Sequence, residues 1–178
     1  MLRALVDDDR VARVNLVPSD AALRVFAEEM GVSGKNGLAE KLLGAGAGRK
    51  VKQLAESDVG AGVASGSYPS DGMIVLPCSM GTLARVAHGM AGNLIERAAD
   101  VCLKERRPVL LCVRETPFNL IHLRNMQLAA EAGATIFPVM PAFYNKPQDT
   151  VEMVRQYVYR VLGFVGLRQA AAYEWKGE

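Results

Sequence analysis

Arg114 and Glu115 stand directly after an apolar run, in the stretch "VLLCVRETPF". A fixed cation beside a carboxylate at the end of a buried strand can hold a charged or electron-rich group while the carboxylate moves a proton. Three other stretches carry comparable chemistry. In "PCSMGTLA", Ser79, Gly81 and Thr82 fall where a strand turns into a helix. Hydroxyls and free backbone N–H groups there can bind an anion, with phosphate the natural guest, or Ser79 or Thr82 can simply cap the helix. The Gly-Lys-[Ser/Thr] ending of a Walker loop is absent. In "NLIERAADVCLKERRP", Arg97 and Lys104 lie seven residues apart, two helical turns, and so on one face where they can share an anion or form a solvated surface. In "AFYNKP", Tyr144 sits among turn formers, and Arg155 and Arg160 follow in a helical pattern. A Tyr with several Arg and Lys describes a phosphate monoester site, because planar guanidinium donors match phosphate geometry.

These residues need a frame. Apolar runs at 14–18, 73–78, 109–113 and 135–139 read as strands, apolar at nearly every position and therefore covered on both faces. Between them, helical patterns occupy 20–30, 82–88, 94–105, 119–132 and 149–162. Strand and helix alternating in this way predict a parallel sheet sandwiched by helices, with ligands at the carboxyl ends of the strands. Two glycine-rich stretches, 31–48 and 59–71, break the rhythm and read as functional loops, the first with a short helix and a candidate for subunit contacts together with Met140 and Pro141.

At 178 residues the chain is expected to form a single domain with one core. Its 21 Lys and Arg against 19 Asp and Glu, scattered along the chain, with only 6% aromatic residues, argue against a nucleic-acid surface. Cys78, Cys102 and Cys112 form no CxxC pair and read as small buried hydrophobes in a reducing cytoplasm. Neither a membrane span nor a signal peptide is visible, which points to a soluble cytoplasmic protein. His88 and His122 read as structural or capping residues, and Met73, Met80, Met90, Met126 and Met140 as core filler. Trp175 reads as a packing anchor.

The ordered motifs "PCSMGTLA", "NLIERAADV", "LKERRP", "RETPFNLIHLRNM" and "PAFYNKPQ", preceded by "ASGS" at 64–67, resemble the UbiX family of flavin prenyltransferases over the last two-thirds of the chain. The resemblance implies a flavodoxin-like Rossmann α/β fold, a three-layer sandwich on a parallel sheet, assembled as a homo-dodecamer. It implies transfer of a dimethylallyl group from dimethylallyl monophosphate to N5 and C6 of reduced FMN, without a metal. The product is a prenylated flavin for a UbiD-type decarboxylase. Carried over by position, Ser19, Ser79, Met80, Gly81, Thr82 and Arg114 contact the flavin, and Glu115 moves protons, with the released phosphate as the competing base. Glu29 matches a second acidic position near the flavin, and Arg97, Lys104, Tyr144 and Arg160 hold the substrate phosphate, some from a neighbouring subunit. Many members have Lys where this chain has Gly81, a departure the turn tolerates if it works through backbone N–H groups.

Family members begin with a strand, a "GxTGASG"-like loop and a helix. Here Met1 to Leu5 match the middle of that helix, so the N-terminal strand is missing and the sheet is expected to have unpaired edges. A longer natural chain with upstream residues is favoured over a truncated paralogue, because the remaining site residues match so fully. Two other functions compete. One is a related flavin-dependent cysteine decarboxylase, whose catalytic His and clamping motif are not found here; the other is a non-catalytic flavin-binding or assembly subunit.

Overall fold

The structure, a computed structural model, describes residues 1–32, 36–175 and 177. Its elements follow the chain as α1 (Leu2–Val6), β1 (Val14–Leu16), α2 (Asp20–Met30), α3 (Leu38–Leu43) and β2 (Val51–Gln53), then β3 (Met73–Cys78), α4 (Met80–Ala87) and α5 (Leu94–Lys104). They end with β4 (Val109–Val113), α6 (Leu120–Glu131), β5 (Thr135–Ile136) and α7 (Thr150–Phe164). Part of the glycine-rich stretch 31–48, residues 33–35, lies outside the described residues.

The residues group into two units, Met1–Pro69 with Ala91–Val101, and Ser70–Met90 with Cys102–Glu178. In the first, β1 and β2 pair in parallel, Val14 opposite Val51. In the second, β3, β4 and β5 form a parallel sheet in that order, with Met73 opposite Val109 and Leu110 opposite Thr135. Among the described residues β1 pairs only with β2, and β3 only with β4. The pairing is parallel throughout, as the alternation of strand and helix predicts, but falls into two sheets rather than the one expected.

Local chemistry accounts for the elements. Every position of β4 is buried, as an uninterrupted apolar strand requires when both faces are covered. The same expectation fails for β3, where only Cys78 is buried. Pro77 lacks an N–H for the ladder, and the register with β4 shifts between Val75 and Cys78, the irregularity proline imposes on a strand. Asn119 starts α6 with a capping box: its side chain accepts from His122 N at 2.9 Å, and the His122 ring accepts from Asn119 N at 3.4 Å. His88 is the C-cap of α4 and precedes Gly89 at φ 66°. Both histidines therefore cap helices.

The second unit's core gathers Leu83 and Val86 of α4, all of β4, and Val158, Val161 and Leu162 of α7. All three cysteines are buried and unpaired. Burial pushes the Cys78 thiol from its ordinary 9.0 up to about 12, and Cys102 and Cys112 move in the same direction. A folded-state pKa above the unfolded one gives stability that is complete below pH 9 and is lost as pH rises toward 12. A thiol reagent at pH 8 should therefore leave the folded chain's thiols largely unmodified and react with all three after denaturation, and the denaturation midpoint should fall above pH 9.

Candidate functional site

Three strands of the second unit deliver their carboxyl ends to one cavity of about 650 Å³. Ser79 follows β3; Arg114, Glu115 and Thr116 follow β4; Pro138, Val139 and Met140 follow β5. Val113 and Phe118 complete the lining. Parallel strands place all these ends on one edge of the sheet, where ligands of open α/β folds bind. Ladder bonds continue past the regular strands: Arg114 N donates to Cys78 O at 3.2 Å, Phe137 N to Leu111 O at 2.9 Å and Val139 N to Val113 O at 2.9 Å. Phe137 is also held edge-on by Tyr157 and Phe164 of α7, with ring centroids 5.6 and 5.2 Å away. The cavity wall at 138–140 is thereby fixed to the sheet on one side and to α7 on the other.

At the α4 turn, Ser79 is the N-cap: its Oγ accepts from Thr82 N at 3.2 Å and lies 3.1 Å from Thr82 Oγ1. The capping interpretation describes the local bonding, yet Ser79 also lines the cavity, so capping and ligand contact are compatible. Met80, Gly81 and Thr82 form the first turn of α4. A Cβ on Gly81 would meet only the mobile end of Arg85, Nη1 at 3.3 Å, and Ser79 Oγ at 3.8 Å. Crowding does not dictate glycine here; its effect is to leave the backbone of the turn bare. Glu115 accepts a bond from Thr116 N at 3.0 Å, and both it and Arg114 are exposed at the cavity edge.

The same unit holds a second cluster. Arg160 Nη1 donates to Tyr144 Oη at 3.4 Å, and the Tyr144 ring stands edge-on to Tyr173 at 5.8 Å. Lys104 instead pairs with Glu105, and that bond holds the Glu105 carboxyl below its ordinary range. In the first unit, Arg97 donates to Ala64 O at 3.2 Å and to Asp100 at 2.9 Å. Arg97 and Lys104 do share α5, but each has its own protein partner.

Ser19 caps α2, accepting from Ala22 N at 3.1 Å. Its turn is held by a network that sequence reasoning missed. Glu56 accepts from Asp20 N at 2.8 Å and from Asn93 Nδ2 at 2.9 Å, and Asn93 Nδ2 also donates to the buried Glu96 at 3.1 Å. Glu56 lies 36 residues from Asp20, so no local pattern could have signalled it. Glu29 is exposed on α2, two residues before its Gly31 cap.

Three readings need correction. Met90 and Met140 are exposed rather than core filler, and Met140 lines the cavity. Trp175 is 73% exposed rather than packed as an anchor. The available signal for Met140 was its place at the carboxyl end of the last strand, where side chains face the ligand edge rather than the core.

The Flavoprotein family model matches residues 1–159. A flavin prenyltransferase UbiX of Neisseria meningitidis is 51% identical over 120 residues, covering 67% of this chain and 64% of that protein, so the match spans just under two thirds of that relative's length. Among solved structures, AnUbiX (PadA1) in complex with FMN and dimethylallyl pyrophosphate superposes with a TM-score of 0.85 at 38% identity, covering 99% of this chain and 90% of that one. The dodecameric FMN-dependent UbiX-like decarboxylase of Escherichia coli O157:H7 gives the same TM-score and coverage at 39% identity. The chain therefore belongs to the Flavoprotein family and, within it, to the UbiX flavin prenyltransferases. Its fold is the α/β, flavodoxin-like fold of those structures. No helix among the described residues is long and apolar enough to cross a membrane.

Proposed function

We propose that the protein transfers a dimethylallyl group from dimethylallyl monophosphate to reduced FMN. The observation that carries this reading is the cavity at the carboxyl edge of β3, β4 and β5, where an apolar wall meets Ser79, Arg114 and Glu115. Val113, Phe118, Pro138, Val139 and Met140 suit the face of a planar ring, and the hydroxyl, guanidinium and carboxylate suit its polar rim. Reduced FMN, as substrate, supplies the nucleophilic ring atoms and a surface on which an allylic cation can be stabilised.

The chain's own residues then have distinct tasks. Ser79, Met80, Gly81 and Thr82 offer hydroxyls and the α4 N-terminus to the flavin, with Ser19 and Glu29 as further contacts, and Arg114 holds it from β4. Breaking the allylic C–O bond leaves negative charge on the departing phosphate. Arg97, Lys104, Tyr144 and Arg160, some of them contributed by a neighbouring subunit, stabilise that charge more in the transition state than before it. Bonding of the allyl C1 to N5 releases the N5 proton. Bonding of C3 to C6 opens the double bond, which takes a proton at C2, and releases the C6 proton, and we assign Glu115 as the carboxylate that moves these protons.

We assign the two units to one functional domain, a homo-dodecamer as the assembled form, the cytoplasm as the compartment and a UbiD-type decarboxylase as recipient of the product. The dodecameric relative supports the assembly, and three buried thiols that form no disulfide suit a reducing compartment. Titrating FMN into the chain and following its fluorescence tests the first requirement: saturable quenching supports the reading. An absence of quenching at FMN concentrations well above micromolar contradicts it.

A further inference from the structure

Gln156 and Arg160 lie one turn apart on α7 and so share a face. The Gln156 amide uses both of its functions on the chain's C-terminal segment: Oε1 accepts from Tyr173 N at 2.8 Å, and Nε2 donates to Ala171 O at 3.1 Å. A side-chain amide carries a donor and an acceptor together, which lets one residue clip a passing backbone at two points. The clipped segment is folded on itself. Ala172 N donates to Gln169 O at 3.0 Å, and Arg168 pairs with Glu174 across the turn.

The consequence falls on Tyr144. That ring is 58% exposed, on a turn whose neighbour Phe143 is 73% exposed, so burial does not fix its rotamer. Arg160 meets its hydroxyl and Tyr173 meets its ring edge-on, at 65°. Tyr173 is placed by the bond from its own backbone N–H to Gln156.

We infer that Gln156 is a positioning residue: it straps the C-terminal segment along α7 so that Tyr173 backs the Tyr144 ring and presets the Tyr144–Arg160 pair for the substrate phosphate. This rests on the proposed role of Tyr144 and Arg160 as phosphate donors. A donor pair already in place avoids the ordering cost that a phosphate would otherwise meet on binding. Gln156 touches neither substrate nor flavin in this scheme, and its effect belongs to phosphate affinity rather than to the chemical step.

The test compares the wild-type full chain with Gln156→Ala, Tyr173→Ala, Tyr173→Phe and the double variant Gln156→Ala/Tyr173→Ala. Steady-state kinetics with dimethylallyl phosphate and reduced FMN, and inhibition by inorganic phosphate, are read beside the fluorescence anisotropy of Trp175. That residue is the chain's single Trp and lies two positions after Tyr173. Gln156→Ala and Tyr173→Ala should each raise the KM for dimethylallyl phosphate and the inhibition constant of phosphate by about five- to tenfold, the scale of one lost aromatic contact and its ordering. Over the same variants, kcat and the KM for FMN should stay within about twofold, since neither residue meets the reacting atoms. The double variant should be no worse than either single one, because both act through one contact. Tyr173→Phe keeps the ring and should behave as wild type, and Trp175 anisotropy should fall in Gln156→Ala. Lower anisotropy with unchanged KM would overturn the inference, as would unchanged anisotropy or a Tyr173→Phe variant as weak as Tyr173→Ala. A wild-type chain that transfers no prenyl group would instead overturn the proposed function, and this inference with it.

Discussion

Glu115→Gln is expected to lower turnover with dimethylallyl phosphate and reduced FMN by about a hundredfold or more, the scale of a lost general acid–base group, while FMN binding stays near the wild-type value. The substitution is nearly isosteric. Its side-chain oxygen can still accept the bond that Thr116 N gives Glu115 Oε1 at 3.0 Å, so the loop after β4 should keep its shape. What disappears is the capacity to take up and release a proton at the cavity edge. Stopped-flow absorbance under anaerobic conditions, read beside equilibrium FMN titration, separates the two effects. A non-catalytic flavin-binding subunit would lose nothing measurable on this change, so equal activity of the two proteins would remove Glu115 from the reaction.

The second large effect is expected at Arg160. Its guanidinium donates to Tyr144 at 3.4 Å, and a hydrogen bond to a charged group contributes about 1.5–3 kcal/mol. Arg160→Ala should therefore lower kcat/KM for dimethylallyl phosphate by roughly ten- to a hundredfold at about 1.4 kcal/mol per decade. Arg160→Lys should recover only part of this, because an ammonium is a point charge without the planar fork that matches phosphate. The loss should show mainly with the phosphate substrate and leave FMN affinity unchanged, which steady-state kinetics varying each substrate in turn would reveal.

Much of the frame was legible because its signals are local. The continuous apolar run of β4 gave the strand's bounds, and the helical pattern at 20–30 gave those of α2. Asn119 and the His122 that answers it are three residues apart, a spacing readable as a cap. β2 was missed because Val51–Gln53 alternates apolar and polar residues over only three positions inside a glycine-rich context. β5 was read too long: its ladder continues to Val139, but Pro138 interrupts the donors.

The site divided along the same line. Ser79, Arg114 and Glu115 were found because each directly follows a strand, and the cavity contains all three. The apolar half of that cavity was not found, since Val139 and Met140 look like core residues until the sheet edge places them at the opening. Contacts between residues distant in sequence, such as Asp20 with Glu56 and Tyr173 with Gln156, leave no periodic trace and needed the fold.

The most direct test of the account mixes the chain anaerobically with reduced FMN and dimethylallyl phosphate, then examines the flavin by mass spectrometry and assays free phosphate. The account predicts a flavin carrying one added five-carbon unit, with one phosphate released per flavin modified. Unmodified flavin and intact dimethylallyl phosphate, from a chain shown to bind FMN under the same conditions, would contradict it.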